Sequence, residues 1–149
     1  MKRFAVCGVL LAFGLGGIVL ADEKALKELA GTYRLVSAEK AGVPVAKDVE
    51  KVKLTFKGDE MTIVLPDGEK RAKIQVDATK KPAHIDIMPD EGPEKGKTFP
   101  GIYKLEKDDL TLVFTPGTDR PKDFKAEGGA MMLKLKKEKD EPKKEKEKK

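Results

Sequence analysis

Apolar and polar residues alternate in eight short runs between Gly31 and Leu135. An alternation of period two turns every second side chain to the same face, which is the pattern of a β-strand with one buried and one wet face. The runs lie at residues 32–40, 52–57, 61–65, 72–77, 84–88, 103–105, 110–114 and 131–135. The chain is therefore predicted to be all-β over this span.

Most of the runs are joined by short turn sequences. Gly58-Asp59, Pro66-Asp67-Gly68 and Asp108-Asp109 are typical of tight hairpins, and hairpins make neighbouring strands antiparallel. Eight antiparallel strands with one apolar face can close on themselves, which removes exposed edges. We predict an eight-stranded antiparallel up-and-down barrel. A two-sheet sandwich is the alternative, but it needs longer crossover connections than most of those present.

A short helix is predicted before the first strand, from Asp22 to Ala30. Acidic residues open this segment, Leu26 and Leu29 share one face, and Gly31 ends it. A helix this short does not persist in isolation. We expect it to pack across one end of the barrel.

The first 21 residues have the features of a secretion signal. Lys2 and Arg3 precede an apolar, glycine-rich stretch, and Ala21 offers a small residue for cleavage before Asp22. A retained membrane anchor is the rival interpretation, because the stretch approaches the minimum length for a bilayer span. Cleavage is favoured, so the expected location is the periplasm, the cell envelope or the medium. No stable membrane span is expected after cleavage.

The remaining chain divides into a barrel domain, residues 22–135, and a lysine- and glutamate-rich tail, residues 136–149. The tail has no apolar residue and is predicted to be disordered. Lys2 and Arg3 contribute +2 and the tail a net +3 to the net charge of +5, so residues 22–135 are formally neutral. Without a basic stripe or interleaved aromatic residues, no nucleic-acid partner is expected.

Several short motifs occur in a characteristic order. Residues 29–33 (Leu-Ala-Gly-Thr-Tyr) open the domain, residues 82–87 (Pro-Ala-His-Ile-Asp-Ile) lie in its middle, and residues 120–124 (Arg-Pro-Lys-Asp-Phe) precede the last strand. In this order the chain resembles a small lipocalin-like domain family of unknown function from planctomycete bacteria. The resemblance implies an exported, calycin-like barrel. It also implies that Tyr33, where the family usually has Trp, plugs one barrel end.

No residue pattern in the chain indicates catalysis. The loop from Gly92 to Thr98 has one residue too few between its glycines for a phosphate-binding loop, and a strand follows it. His84 and Asp86 share a strand face, but His84 is the only histidine and Cys7 lies in the signal. A transition-metal site usually needs three or four such ligands. We expect no enzyme, no catalytic residue, no metal and no cofactor.

The barrel interior is the remaining candidate site. An eight-stranded barrel is either filled by side chains or leaves room for one small ligand. The residues predicted to contact such a ligand are Leu54, Phe56, Ile63, Ile74, Ile85, Ile87, Tyr103, Leu112 and Phe114. Arg120 is expected to have a structural role at a barrel end, on Tyr33 or on backbone carbonyls.

Two functions follow as hypotheses. The first is an exported barrel that binds a small apolar ligand inside, or an envelope component. The alternative is a filled-core structural or protein-interaction module of the cell envelope that acts through its loops, residues 89–98 and 116–129.

Overall fold

The computed structural model describes residues 22–45 and 48–139, so the predicted signal segment and most of the predicted tail lie outside the described residues. One α-helix precedes nine strands, and a short 3-10 helix lies before the third strand. The elements are α1 (Glu23–Leu29), β1 (Gly31–Lys40), β2 (Val43–Pro44), the 3-10 helix (Val49–Lys51), β3 (Lys53–Lys57), β4 (Glu60–Leu65), β5 (Gly68–Asp77), β6 (Ala83–Pro89), β7 (Phe99–Glu106), β8 (Asp109–Phe114) and β9 (Met131–Lys137).

The strands form one closed antiparallel barrel. From β3 to β9, each strand pairs with the next in the chain, and β1 closes the ring by pairing with both β3 and β9. β1 is long enough to do this because residues 31–34 face β3 while residues 33–40 face β9. The two-residue β2 pairs only with β1 and adds no strand to the ring. The predicted eight-stranded up-and-down barrel is thus confirmed.

The two ends of the barrel differ. At the helix end, α1 contacts β3 and β5, and the strands are joined by tight connections at residues 58–59, 78–82 and 107–108. At the loop end lie the hairpin at residues 66–67 and the longer segments 90–98 and 115–130. Helix α1 begins where the Asp22 carboxylate accepts a hydrogen bond from the Ala25 N–H.

Side chains fill the half of the barrel next to the helix. Leu26 and Leu29 of α1 belong to one buried apolar cluster with inward-facing residues of the strands, among them Phe56, Val76 and Leu110. Their close packing leaves this half solid.

A second apolar cluster lies on the outside of the barrel. The segment 115–130 turns back over the outer face, where Ala126 and Ala130 pack against Ile102, Val113 and Met132. On β7 and β8 the alternation of inward and outward side chains therefore does not match burial, because Ile102 and Val113 face outward and are fully buried. A loop covers them, which the strand pattern alone does not show.

The last strand is longer than the sequence pattern indicated. β9 continues past Leu135 to Lys137, and the Glu138 N–H donates to the carbonyl oxygen of Thr32 at 2.8 Å. Lys53 Nζ also lies 3.0 Å from a carboxylate oxygen of Glu138. The first residues of the predicted tail thus belong to the barrel, because backbone pairing with β1 requires no apolar side chain. No helix among residues 22–45 and 48–139 has the length and apolarity needed to cross a membrane.

Candidate functional site: a cavity at the loop end

The half of the barrel next to the loop end is hollow. It contains a cavity of about 450 Å³ that opens to solvent at this end and is within the size range of pockets that hold small molecules. Residues of seven strands form its apolar wall, namely Leu54, Met61, Ile63, Ala72, Ile87, Phe99, Leu112, Phe114 and Leu133. The cavity is therefore continuous with the filled core below it.

Two aromatic rings form one side of the cavity. Phe99 at the start of β7 and Phe114 at the end of β8 meet edge to face, with ring centroids 6.5 Å apart. Both side chains are only partly buried. A ligand in the cavity would complete their burial and gain the corresponding apolar contact.

The mouth of the cavity lies between the β4–β5 hairpin and the segment after β6. Its rim is formed by Glu69, Lys70 and Arg71 on one side and by residues 91–94 on the other, all of them exposed. The two sides are tied together: the Asp90 N–H donates to the Arg71 carbonyl oxygen at 3.1 Å, and the Arg71 N–H donates to a Glu91 carboxylate oxygen at 3.0 Å.

The structure divides the nine residues that the sequence placed in the interior. Leu54, Ile63, Ile87, Leu112 and Phe114 line the cavity. Phe56, Ile74, Ile85 and Tyr103 belong to the filled core nearer the helix end. The division follows the depth of each residue along its strand, which an alternating pattern does not encode.

Sequence reasoning missed Phe99 and the rim residue Lys70. The sequence pattern predicts a β7 run that begins at Tyr103, although Phe99 has the same parity. It likewise predicts a β5 run that begins at Ala72, although the strand starts at Gly68. Extending the alternation toward the loop end by four residues on β7 would have reached Phe99, and by two residues on β5 would have reached Lys70.

Tyr33 lies at the helix end and is fully buried. Its ring meets Phe56 edge to face at 5.5 Å between centroids, and Lys137 Nζ lies 5.7 Å from the ring centroid. Its hydroxyl has no hydrogen-bond partner among the described residues. Burial, and secondarily the charge of Asp108, raises the pKa of Tyr33 to about 12.

Arg120 lies on the outer wall of the barrel rather than at an end, and of its two expected partners it contacts backbone carbonyls and not Tyr33. Its Nη1 donates to the carbonyl oxygens of Gly101 at 2.7 Å and Ile85 at 3.3 Å. Its Nη2 lies 2.7 Å from Asp86 Oδ1, close enough for an ion pair but without hydrogen-bond alignment. These contacts fasten the segment 115–130 to β6 and β7, and none of them involves Tyr33.

The same contacts give Asp86 a structural partner. Asp86 pairs with Arg120 from the outer face of β6, on the opposite side of the strand from the cavity. Burial, followed by the nearby positive charge of Arg120, lowers the pKa of His84. Within the part of the chain that the structure describes, no group of three or more His, Cys, Asp or Glu side chains is placed to hold a metal ion.

Comparison of the chain with protein-family models, with curated proteins and with solved structures gives no match. The geometry of the cavity is therefore the basis for a functional proposal.

Proposed function

We propose that this protein is an exported binding protein that holds one small apolar molecule in the cavity at the loop end of the barrel. The observation behind this proposal is the uneven filling of the barrel. Side chains fill the helix end, while about 450 Å³ with an apolar wall stays open at the other end.

The wall of the cavity matches an apolar ligand. A buried polar group needs a hydrogen-bond partner, and the described residues that form the wall below the rim have no polar side chain to offer one. A molecule that is mostly hydrocarbon needs no such partner. The driving force for binding would be the removal of its apolar surface, and that of Phe99 and Phe114, from water.

The hollow half also favours this function over a filled-core interaction module. In a structural module, large side chains would be expected to close the whole interior, because an unfilled apolar space forfeits packing energy. Here Ala72 and the partly buried Leu133 stand where larger side chains would fill the space. Export rests on the secretion-signal pattern of residues 1–21 alone.

Filling the cavity tests the proposal. The neutral fluorescent probe N-phenyl-1-naphthylamine is expected to bind the purified protein in a one-to-one ratio. Leu133→Trp and Ile63→Trp each place a large ring in the cavity, and the two combined should weaken binding at least about tenfold, the loss expected when a ligand is displaced from its apolar contacts.

Matched control variants lie on the same strands. Lys134→Trp and Thr62→Trp add the same ring next to each test position but on the outer face of the barrel. Probe affinity should stay at the wild-type value in both controls. Circular dichroism of every variant checks that the barrel is folded. Equal probe binding by the combined cavity variant and the controls would show that the probe binds elsewhere and would reject the proposal.

A further inference from the structure

The mouth of the cavity carries an inward-facing cation, Lys70. In the β4–β5 pairing Lys70 lies opposite Ile63, and residues directly opposite each other in an antiparallel pair project to the same face. Ile63 lines the cavity, so Lys70 projects to the cavity side, and it forms part of the rim. Its neighbours Glu69 and Arg71 pair with Val64 and Thr62 on the outer face.

The lysine lacks a carboxylate partner. Among the described residues, no Asp or Glu oxygen lies within 4.0 Å of the Lys70 ammonium group, whereas Lys73 on the same strand pairs with both Asp59 and Glu60. An inward-facing ammonium group above an apolar cavity offers a favourable position for an anion, because a hydrogen bond between charged groups is stronger than one between neutral groups.

The acidic residues of the rim are already engaged. Glu91 accepts the Arg71 backbone N–H at 3.0 Å, and Glu94 pairs with Lys97 at 2.8 Å. Glu69 projects from the outer face of β5. Glu91 therefore ties the two sides of the mouth, Glu94 pairs within its own segment and Glu69 faces outward. Lys70 is the charged group on the cavity side of β5.

From this arrangement we propose that the ligand is a single-chain amphipathic anion of the fatty-acid class. Its hydrocarbon chain lies in the cavity and its carboxylate lies at the mouth beside Lys70. This inference deepens the proposed function and rests on it. It adds the head-group charge of the ligand and assigns its recognition to one residue.

A series of ligands with one chain and three head groups tests the assignment. Isothermal titration calorimetry would compare decanoate, decanol and decylammonium on the purified protein at neutral pH. The wild type should bind decanoate about five- to tenfold more tightly than decanol, the strength of a charge-assisted hydrogen bond at a partly exposed site. Decylammonium should bind most weakly.

Variants at Lys70 should change the head-group preference and leave the chain contribution intact. Lys70→Met should bring decanoate to the affinity of decanol without altering decanol binding, and Lys70→Glu should favour decylammonium over decanoate. Lys73→Met is the matched control, because this lysine lies on the same strand but faces outward. It should keep the wild-type order.

The outcomes separate the two proposals. If decanol binds and is lost in the combined cavity variant, but decanoate shows no advantage or keeps its advantage in Lys70→Met, the head-group assignment is wrong and the cavity function stands. A preference for decylammonium in the wild type would likewise overturn the assignment. If no member of the series binds while N-phenyl-1-naphthylamine does, the fatty-acid assignment fails and the cavity function stands; if the probe does not bind either, both proposals fail.

Discussion

Gly101 on β7 is the position where adding one methyl group should have the clearest effect on stability. A Cβ atom there would lie 2.7 Å from the Val113 carbonyl oxygen and 2.9 Å from the Phe114 Cβ, where ordinary contacts begin at 3.4 Å. Both atoms sit at the backbone of β8, so no side-chain rotation relieves the overlap. The two strands must separate, and overpacking of this kind typically costs about 1–3 kcal/mol.

The cost should fall in the upper part of that range. The Gly101 carbonyl oxygen also accepts the 2.7 Å hydrogen bond from Arg120, so a displaced β7 weakens the attachment of the segment 115–130. We expect Gly101→Ala to lower the free energy of unfolding by about 2–3 kcal/mol. For a domain of this size the melting temperature should fall by roughly 8–12 °C.

Urea unfolding followed by far-ultraviolet circular dichroism measures the effect, since the chain contains no Trp. Gly117→Ala is the matched control: it adds the same methyl group where no atom lies within 4 Å and where the backbone needs no positive φ. Its stability should equal the wild type or exceed it by up to about 1 kcal/mol. Equal stability of the two variants would refute the argument, since it would mean that β7 and β8 separate at no cost.

Three further predictions concern side chains away from the cavity. Tyr33→Phe keeps the ring and removes a buried hydroxyl that has no hydrogen-bond partner among the described residues. Urea unfolding should therefore show a free energy of unfolding about 1–2 kcal/mol higher than in the wild type. A lower value would mean that the hydroxyl makes a hydrogen bond in the folded protein. Because the pKa of Tyr33 is raised to about 12 while unfolded tyrosine ionises near 10, wild-type stability should fall as the pH rises from 10 toward 12. Tyr33→Phe has no phenol to ionise at this position, so the stability difference between the variant and the wild type should grow from pH 10 to pH 12. A difference that stays constant over this range would contradict the argument that burial raises the pKa. Arg120→Gln leaves Asp86 without its cation and should lower the free energy of unfolding by about 1–2 kcal/mol. Arg34 is exposed and has no ion pair among the described residues, so the control Arg34→Gln should change it by less than about 0.5 kcal/mol. Equal losses in the two variants would show that Arg120 does not hold the segment 115–130 to the barrel.

The amino-acid sequence alone was enough to predict the barrel and its strand order. Alternation of period two marked the eight strands, and short turn sequences such as Pro66-Asp67-Gly68 made consecutive strands antiparallel neighbours. These are local signals: side-chain direction and turn geometry depend on residues close together in the chain. Helix α1 was predictable for the same reason, from Asp22 at its start and the spacing of Leu26 and Leu29.

The tertiary structure decided how deep each inward residue lies and what covers the outer face. Phe56 and Phe114 have the same pattern around them, yet one lies in the filled core and the other lines the cavity, because depth depends on strand stagger and on the packing of α1 against one end. Arg120 is far in sequence from Ile85, and only the folding of the segment 115–130 over β6 and β7 brings them together. Such contacts depend on the summed packing of distant residues, which no local pattern contains.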